Sequence, residues 1–276
     1  AIGSELGVIS QHVAQKARRT APASLSTYEA LLCFYNYEVT LSPELERQCD
    51  AALSAAVERE PEYGPLWSAL AVLKQNAYVT GQPGAEEPDG QAAEFAERGA
   101  SLAPRSQLTR GVLARNHFLR KIRDAFLQEL ETALALNPGS PLLVGTAGYS
   151  LILAEDAERG RPLLDRAIAM NPCHPGWFNH GLFVDDYVKG AYESALRETL
   201  KPGFDIGFWG PLLRAAVLGQ LGRAAEARAA VSELLKMVPD FPSHGLDLTH
   251  RPILSDSIVD ALLDGLRKAG LRLKDA

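Results

Sequence analysis

Cysteine is scarce: three in 276 residues, Cys33, Cys49 and Cys173, an odd number at wide spacing. No disulfide framework and no zinc-ligand spacing follows from them. Reduced thiols, buried as small apolar side chains, are expected, and with them a cytoplasmic protein. The sequence has no run of 18 apolar residues, which excludes a membrane-spanning helix, and no charged-then-apolar leader. An excess of positive charge is missing too. The net charge of −6 argues against holding nucleic acid, because phosphate contacts need a basic face. Arg18-Arg19 and Lys121 with Arg123 are basic but have no interleaved aromatics. The chain begins Ala1-Ile2-Gly3 without a methionine, so a piece of a longer protein is expected, its function shared with a missing part.

Catalytic signatures are equally sparse. Gly139-Ser140 lacks the lysine and spacing of a phosphate loop. Gly145-Thr146-Ala147-Gly148-Tyr149-Ser150 is not in nucleophile-elbow order, and Ser150 reads as a helix residue. Asp185-Asp186 would point about 100° apart on a helix, so the two carboxylates are expected to be solvated surface rather than one site. Cys173-His174 with His180 falls short of the three or four ligands a metal needs. That stretch occupies a turn, where a surface Cys and His are expected. His12 and His117 stand alone and read as structural. The expectation is no enzyme, no cofactor and no metal.

What the sequence does have is a repeat. Apolar residues make up 46% and charged residues 22%, an ordinary globular balance. ALALNP closes at Pro138 and AIAMNP at Pro172, 34 residues later. Prolines ending apolar helical stretches stand at 61, 104, 138, 172, 202 and 239, at intervals of 43, 34, 34, 30 and 37. The long interval holds Gly- and Pro-rich residues 81–90, a loop insertion. The short one marks an irregular unit around Leu200-Lys201-Pro202-Gly203. Five residues before four of these prolines is a small residue: Ala56, Gly99, Ala133 or Ala167. Leu53, Leu130 and Leu164 lie eight before. Trp67, Val144, Phe178 and Phe208 lie six after. Small residues let helices approach and the bulky ones fill the groove between them, while proline separates one helix from the next.

This predicts helix pairs at 26–39 with 43–60, 65–80 with 91–102, 106–119 with 121–136, 141–153 with 155–170, 175–188 with 190–200, and 206–221 with 223–237. Ser42-Pro43 and Gly222 are boundary signals. A further helix is expected over residues 5–19. Another is expected near the end, where residues 258, 262, 263, 266 and 269 form one apolar stripe that can cap the array.

Pro61 with Trp67, the Ala and Leu positions and the Asn-Pro closures resemble tetratricopeptide repeats over about residues 26–240. Phe126 and Gly160 stand where that family usually has alanine, and Arg197 replaces a small residue in the unit ending at Pro202. The stretches P-x-S-L-x-x-Y-x-x-L-L (Pro22 to Leu32) and LLDGLRKAGL (Leu262 to Leu271) are similar to the carboxy-terminal region of bacterial signalling proteins. In those, an adenylate cyclase or winged-helix domain and a TolB-like domain precede the repeats. The resemblance implies an all-α, right-handed α-solenoid: an amino-terminal helix and linker (1–25), about six helix pairs (26–240), and a linker with a capping helix (241–276).

Repeat arrays bind along the face lined by their first helices. Phase places Ser68, Gln75, Asn76, Arg115, Tyr149, Asn179, Phe183, Asp186, Tyr187 and Trp209 there. Amides can satisfy a peptide backbone and aromatics can fill pockets. A peptide or protein partner is therefore expected, in a signalling or transcription-regulatory context. Self-association is the alternative, and a small-molecule sensor a more distant one.

Overall fold

The computed structural model describes residues 21–85 and 90–273. The helix expected over 5–19 and residues 86–89 of the insertion lie outside them. Every regular element among the described residues is helical. A 3-10 turn at Pro22–Ser24 precedes α1 (Thr27–Thr40), α2 (Pro43–Arg59), α3 (Gly64–Val79), α4 (Gln91–Leu102), α5 (Gln107–Leu119), α6 (Arg123–Leu136) and α7 (Pro141–Leu153). Then follow α8 (Ala157–Met170), α9 (Phe178–Val188), α10 (Tyr192–Glu198), α11 (Trp209–Gln220), α12 (Ala224–Met237), α13 (Phe241–His250) and α14 (Asp256–Lys268). The fold is all-α, built of successive helix pairs.

The repeat has a backbone explanation at both kinds of turn. Within each pair, one residue in the left-handed region ends the first helix: Leu41, Gly81, Lys121, Glu155, Gly190 or Gly222. After α5, Lys121 N–H donates to Phe118 O and Ile122 N–H to His117 O, the paired bonds of a Schellman turn. The other kind of turn follows the second helix. Glu60, Ala103, Asn137 and Val238, each just before a proline, take φ between −130° and −152°. The proline ring excludes the helical region for the residue ahead of it, and this gives the ALALNP motif its full stop. Ser26 and Ser42 cap α1 and α2, the former in a reciprocal capping box with Glu29.

The chain forms two compact units, Ala1–Gly145 with Arg166–Pro175, and Thr146–Asp165 with Gly176–Ala276. In unit 1, α1 to α6 stack in order, and α3 also touches the first helices on either side, α1 and α5. Leu53, Ala56, Leu66, Ala96, Leu130 and Ala133 are buried at the small and large positions that the repeat code assigned or beside them. Phe126, the residue where a small one was expected, is also buried and sits edge-on to Phe118 at 5.1 Å. Trp67 is only half-buried: its indole N–H donates to Pro61 O at 2.8 Å and its ring packs on Phe95 and under Arg98.

In unit 2, Gly160 faces Gly148 across the α7–α8 crossing. A Cβ on Gly160 would come within 2.7 Å of Gly148 O, so even alanine would push the helices apart. α10 has seven residues, the shortening that the 30-residue interval and Arg197 predicted. The segment beyond Pro239 differs from the expected linker. Residues 241–250 form α13, and α14 packs on α11 and on α9. Both are first helices of their pairs, so α14 lies along that row. A turn before it joins the end of α7: the N–H groups of Leu254 and Ser255 donate to Leu153 O at 3.0 and 3.2 Å. Ser255 and Ser257 donate to the Glu155 carboxylate, each at 2.8 Å.

Candidate interaction surface on the first helices

Three successive first helices of unit 1 bring polar groups into one ladder. Tyr37 on α1 is buried, with its hydroxyl oxygen accepting from Asn76 Nδ2 on α3 at 3.0 Å. Arg115 on α5 donates from Nη2 to Asn76 Oδ1. Glu38 follows Tyr37 on α1. Glu38, Asn76 and Arg115 are half-buried, with part of each side chain still open to solvent. Burial pushes the Glu38 carboxyl above the usual range, and the Arg115 charge and the Asn76 hydrogen bond pull it part of the way back. Burial also raises the Tyr37 hydroxyl, helped by Glu46 and Glu38, so it keeps its proton at neutral pH. The row carries a carboxyl, a guanidinium, an amide and a phenol.

Of the ten residues that phase assigned to this face, Asn76 and Arg115 are in contact. Five are corrected: Ser68, Gln75, Asn179, Phe183 and Tyr187 are buried and present no side chain to a partner. Helical phase carries no information about depth. Ser68 sits where α3 crosses Gly99 of α4, and Gln75 donates to Val112 O at 3.4 Å. Phe183 and Tyr187 stack at 5.5 Å inside unit 2. The Tyr187 hydroxyl donates to Ala261 O of α14 at 2.9 Å. Tyr149 and Trp209 are half-exposed. Tyr149 stands edge-on to Trp177 at 5.2 Å and Trp209 lies 5.1 Å from Phe208.

Asp186 and its neighbour overturn another expectation. Asp185 is fully buried, and both carboxylates meet Arg161 Nη1, at 2.7 and 3.1 Å. A guanidinium from α8 bridges what helix geometry alone holds apart, and Lys189 adds a second cation 2.7 Å from Asp185. The cysteine–histidine stretch is spread out. Cys173 is exposed, His174 Nδ1 lies 2.9 Å from Pro175 O, and His180 is buried with Nε2 2.6 Å from Phe204 O. Burial drives the His180 pKa down to about 4, against the pull of the Phe204 carbonyl and Asp205. The ring is therefore neutral at pH 7, with Nε2–H donating. Among the described residues no group of three or more His, Cys, Asp or Glu is placed to hold a metal.

Sequence reasoning missed Tyr37 and Glu38. A signal existed: Tyr37, Asn76 and Arg115 are spaced by 39 residues twice over, a constant interval that survives the irregular proline spacing. A second ladder went unseen in unit 2. Gln220 Nε2 on α11 donates to Tyr187 Oη at 3.2 Å and to Asp264 of α14 at 2.9 Å. Lys268 donates to Gln220 Oε1 at 2.8 Å.

No family model matches the chain, and no curated protein matches it. Among solved structures the chain is similar to yeast Tom70, at a TM-score of 0.46 and 11% identity over 97% of this chain. It spans 66% of the length of that chain. No helix among the described residues is long and apolar enough to cross a membrane.

Proposed function

We propose that the chain is a non-catalytic protein-interaction module of a bacterial signalling or transcription-regulatory protein. It takes an extended peptide segment of a partner along the first helices of unit 1. The observation that carries this reading is the ladder of Glu38, Asn76 and Arg115, half-open on α1, α3 and α5 and braced from beneath by buried Tyr37. A guanidinium, an amide and a carboxyl on one row are the donor and acceptor chemistry by which a peptide C=O and N–H are recognised. Because the row is built of polar groups, the fitting segment is polar. The regulatory context rests on the likeness of the Pro22–Leu32 and Leu262–Leu271 stretches to cyclase- and winged-helix-linked repeat regions.

A peptide array probed with the full chain tests this reading. Arg115→Glu is expected to lower affinity for the selected peptides at least about tenfold, a loss of about 1.4 kcal/mol. Lys268→Ala, on the ladder of unit 2, should leave affinity unchanged. Selected peptides that bind both variants as well as the parent would remove the unit 1 row as the site. A mass that rises with concentration in light scattering, with no peptide selected, would move the reading to self-association.

A further inference from the structure

The sequence offered no reason to pair its cysteines, yet the first helix hairpin puts two of them together. Cys33 on α1 and Cys49 on α2 stand eight residues either side of Leu41, at the turn, and their Sγ atoms are 3.0 Å apart. A disulfide bond needs the sulfurs at about 2.05 Å, so about 1 Å of combined movement separates the two arrangements. Both side chains are buried, Cys33 at 3% and Cys49 at 0% exposure, within the apolar core of unit 1. The helices bearing them already pack against each other. The third cysteine, Cys173, is exposed.

We propose that Cys33 and Cys49 are an oxidation site that forms an intramolecular disulfide and staples α1 to α2. The oxidant is a low-molecular-weight disulfide such as oxidised glutathione. One cysteine, as thiolate, attacks it, releasing one small thiol and forming a mixed disulfide. The second cysteine then attacks the protein sulfur of that mixed disulfide and releases the other small thiol. The two protein thiols are oxidised by two electrons in all. The small disulfide is reduced by the same two, and its two thiols carry off the two protons. Burial sets the kinetics. Small disulfides reach the pair while the hairpin is folding or transiently open, and a bond once formed is shielded from reductants in the native chain. The link closes a loop of 16 residues in sequence separation, long enough to restrict the unfolded chain.

The test uses the full chain, incubated with oxidised glutathione in native buffer and in low urea, then denatured and mapped without reductant. The expected result is a linked Cys33–Cys49 peptide, about 2 Da lighter than the two free peptides. Of the three thiols in the sequence, one should remain titratable. Oxidation should be slow in native buffer and faster in low urea. In a Cys173→Ser background the oxidised form should melt about 5 °C above the reduced form, and adding Cys49→Ser should abolish that difference. Three titratable thiols after treatment in low urea would overturn the proposal. So would a glutathione adduct on Cys33 or Cys49 that persists instead of resolving to the internal bond. Mapping the parent sequence decides the matter even if the Cys49→Ser variant folds poorly.

Discussion

In unit 1, Asn76 stands between Tyr37 and Arg115; in unit 2, Gln220 stands between Tyr187 and Asp264. Both ladders hang on a buried tyrosine oxygen that accepts from an amide side chain. They differ in where the third member comes from. In unit 1 it is the first helix of the next pair, and Glu38 and Arg115 stay half-open. In unit 2 it is α14, a helix of the same chain laid along the row. Ile258, Val259, Leu262, Leu263 and Leu266 of α14 are all buried, and each is worth about 1.5–3 kcal/mol as an upper estimate. A row so firmly occupied by its own chain is not available to a partner. The physical lesson is that one repeat face can be a binding surface or a core boundary, depending on whether a further helix returns to cover it.

The comparison is broken most severely at the α11–α14 crossing. A Cβ on Gly265 would meet the Tyr187 hydroxyl and approach Ala216 O within 2.6 Å. Gly265→Val should therefore destabilise unit 2 by about 3 kcal/mol or more and make α14 sensitive to limited proteolysis. Unit 1 helices should stay protected in hydrogen exchange. Equal loss of protection in both units would show that the two rows are not independent.

The two units should also answer pH in opposite directions. His180 is held near pKa 4, below its ordinary 6.5. The unfolded chain therefore binds the extra proton first, and unit 2 loses stability as pH falls from about 6.5 towards 4, by about 3 kcal/mol in full. His180→Gln should flatten that slope in denaturant titrations followed by exchange in α9. Glu38 runs the other way. Its raised pKa means that its stabilising, protonated state is fully present below the ordinary carboxylate range and is lost as pH rises through the raised value. Exchange protection in α1 of Glu38→Gln should change less than the parent's over that rise.

Smaller effects sharpen the contrast. Asn76→Ala leaves the Tyr37 hydroxyl and the Arg115 guanidinium without their shared partner, and about 1–2 kcal/mol of stability should be lost in unit 1. Lys268→Ala removes a half-exposed ion pair to Asp264 and should change the unfolding midpoint by no more than about 0.5 kcal/mol in free energy.

Helix positions were legible because burial, period and proline each mark them independently. Leu53, Leu130 and Leu164 recur at one phase, and Asn137-Pro138 can only end a helix. The interaction row was legible only as a set of candidates. Asn76 and Arg115 were picked out by phase, but so were Ser68, Phe183 and Tyr187, which are buried. A helix face has no depth in one dimension; how far a side chain sinks depends on what packs over it. Asp185 and Asp186 make the same point, since the arginine that joins them lies 24 and 25 residues away in sequence. The packing requirement at Gly265 was written in LLDGLRKAGL, but its partner, the Ala216–Gly219 stretch of α11, was not adjacent to it.

The sequence by itself determined the paired helices between residues 26 and 240 and the all-α class, because those follow from interactions over a few residues repeated in register. Only the tertiary structure decided that α14 would fill one row of first helices, that Tyr37, Asn76 and Arg115 would meet in the other, and that two of three scattered cysteines would touch. Those outcomes depend on contacts between segments far apart in the chain, whose geometry no local pattern encodes.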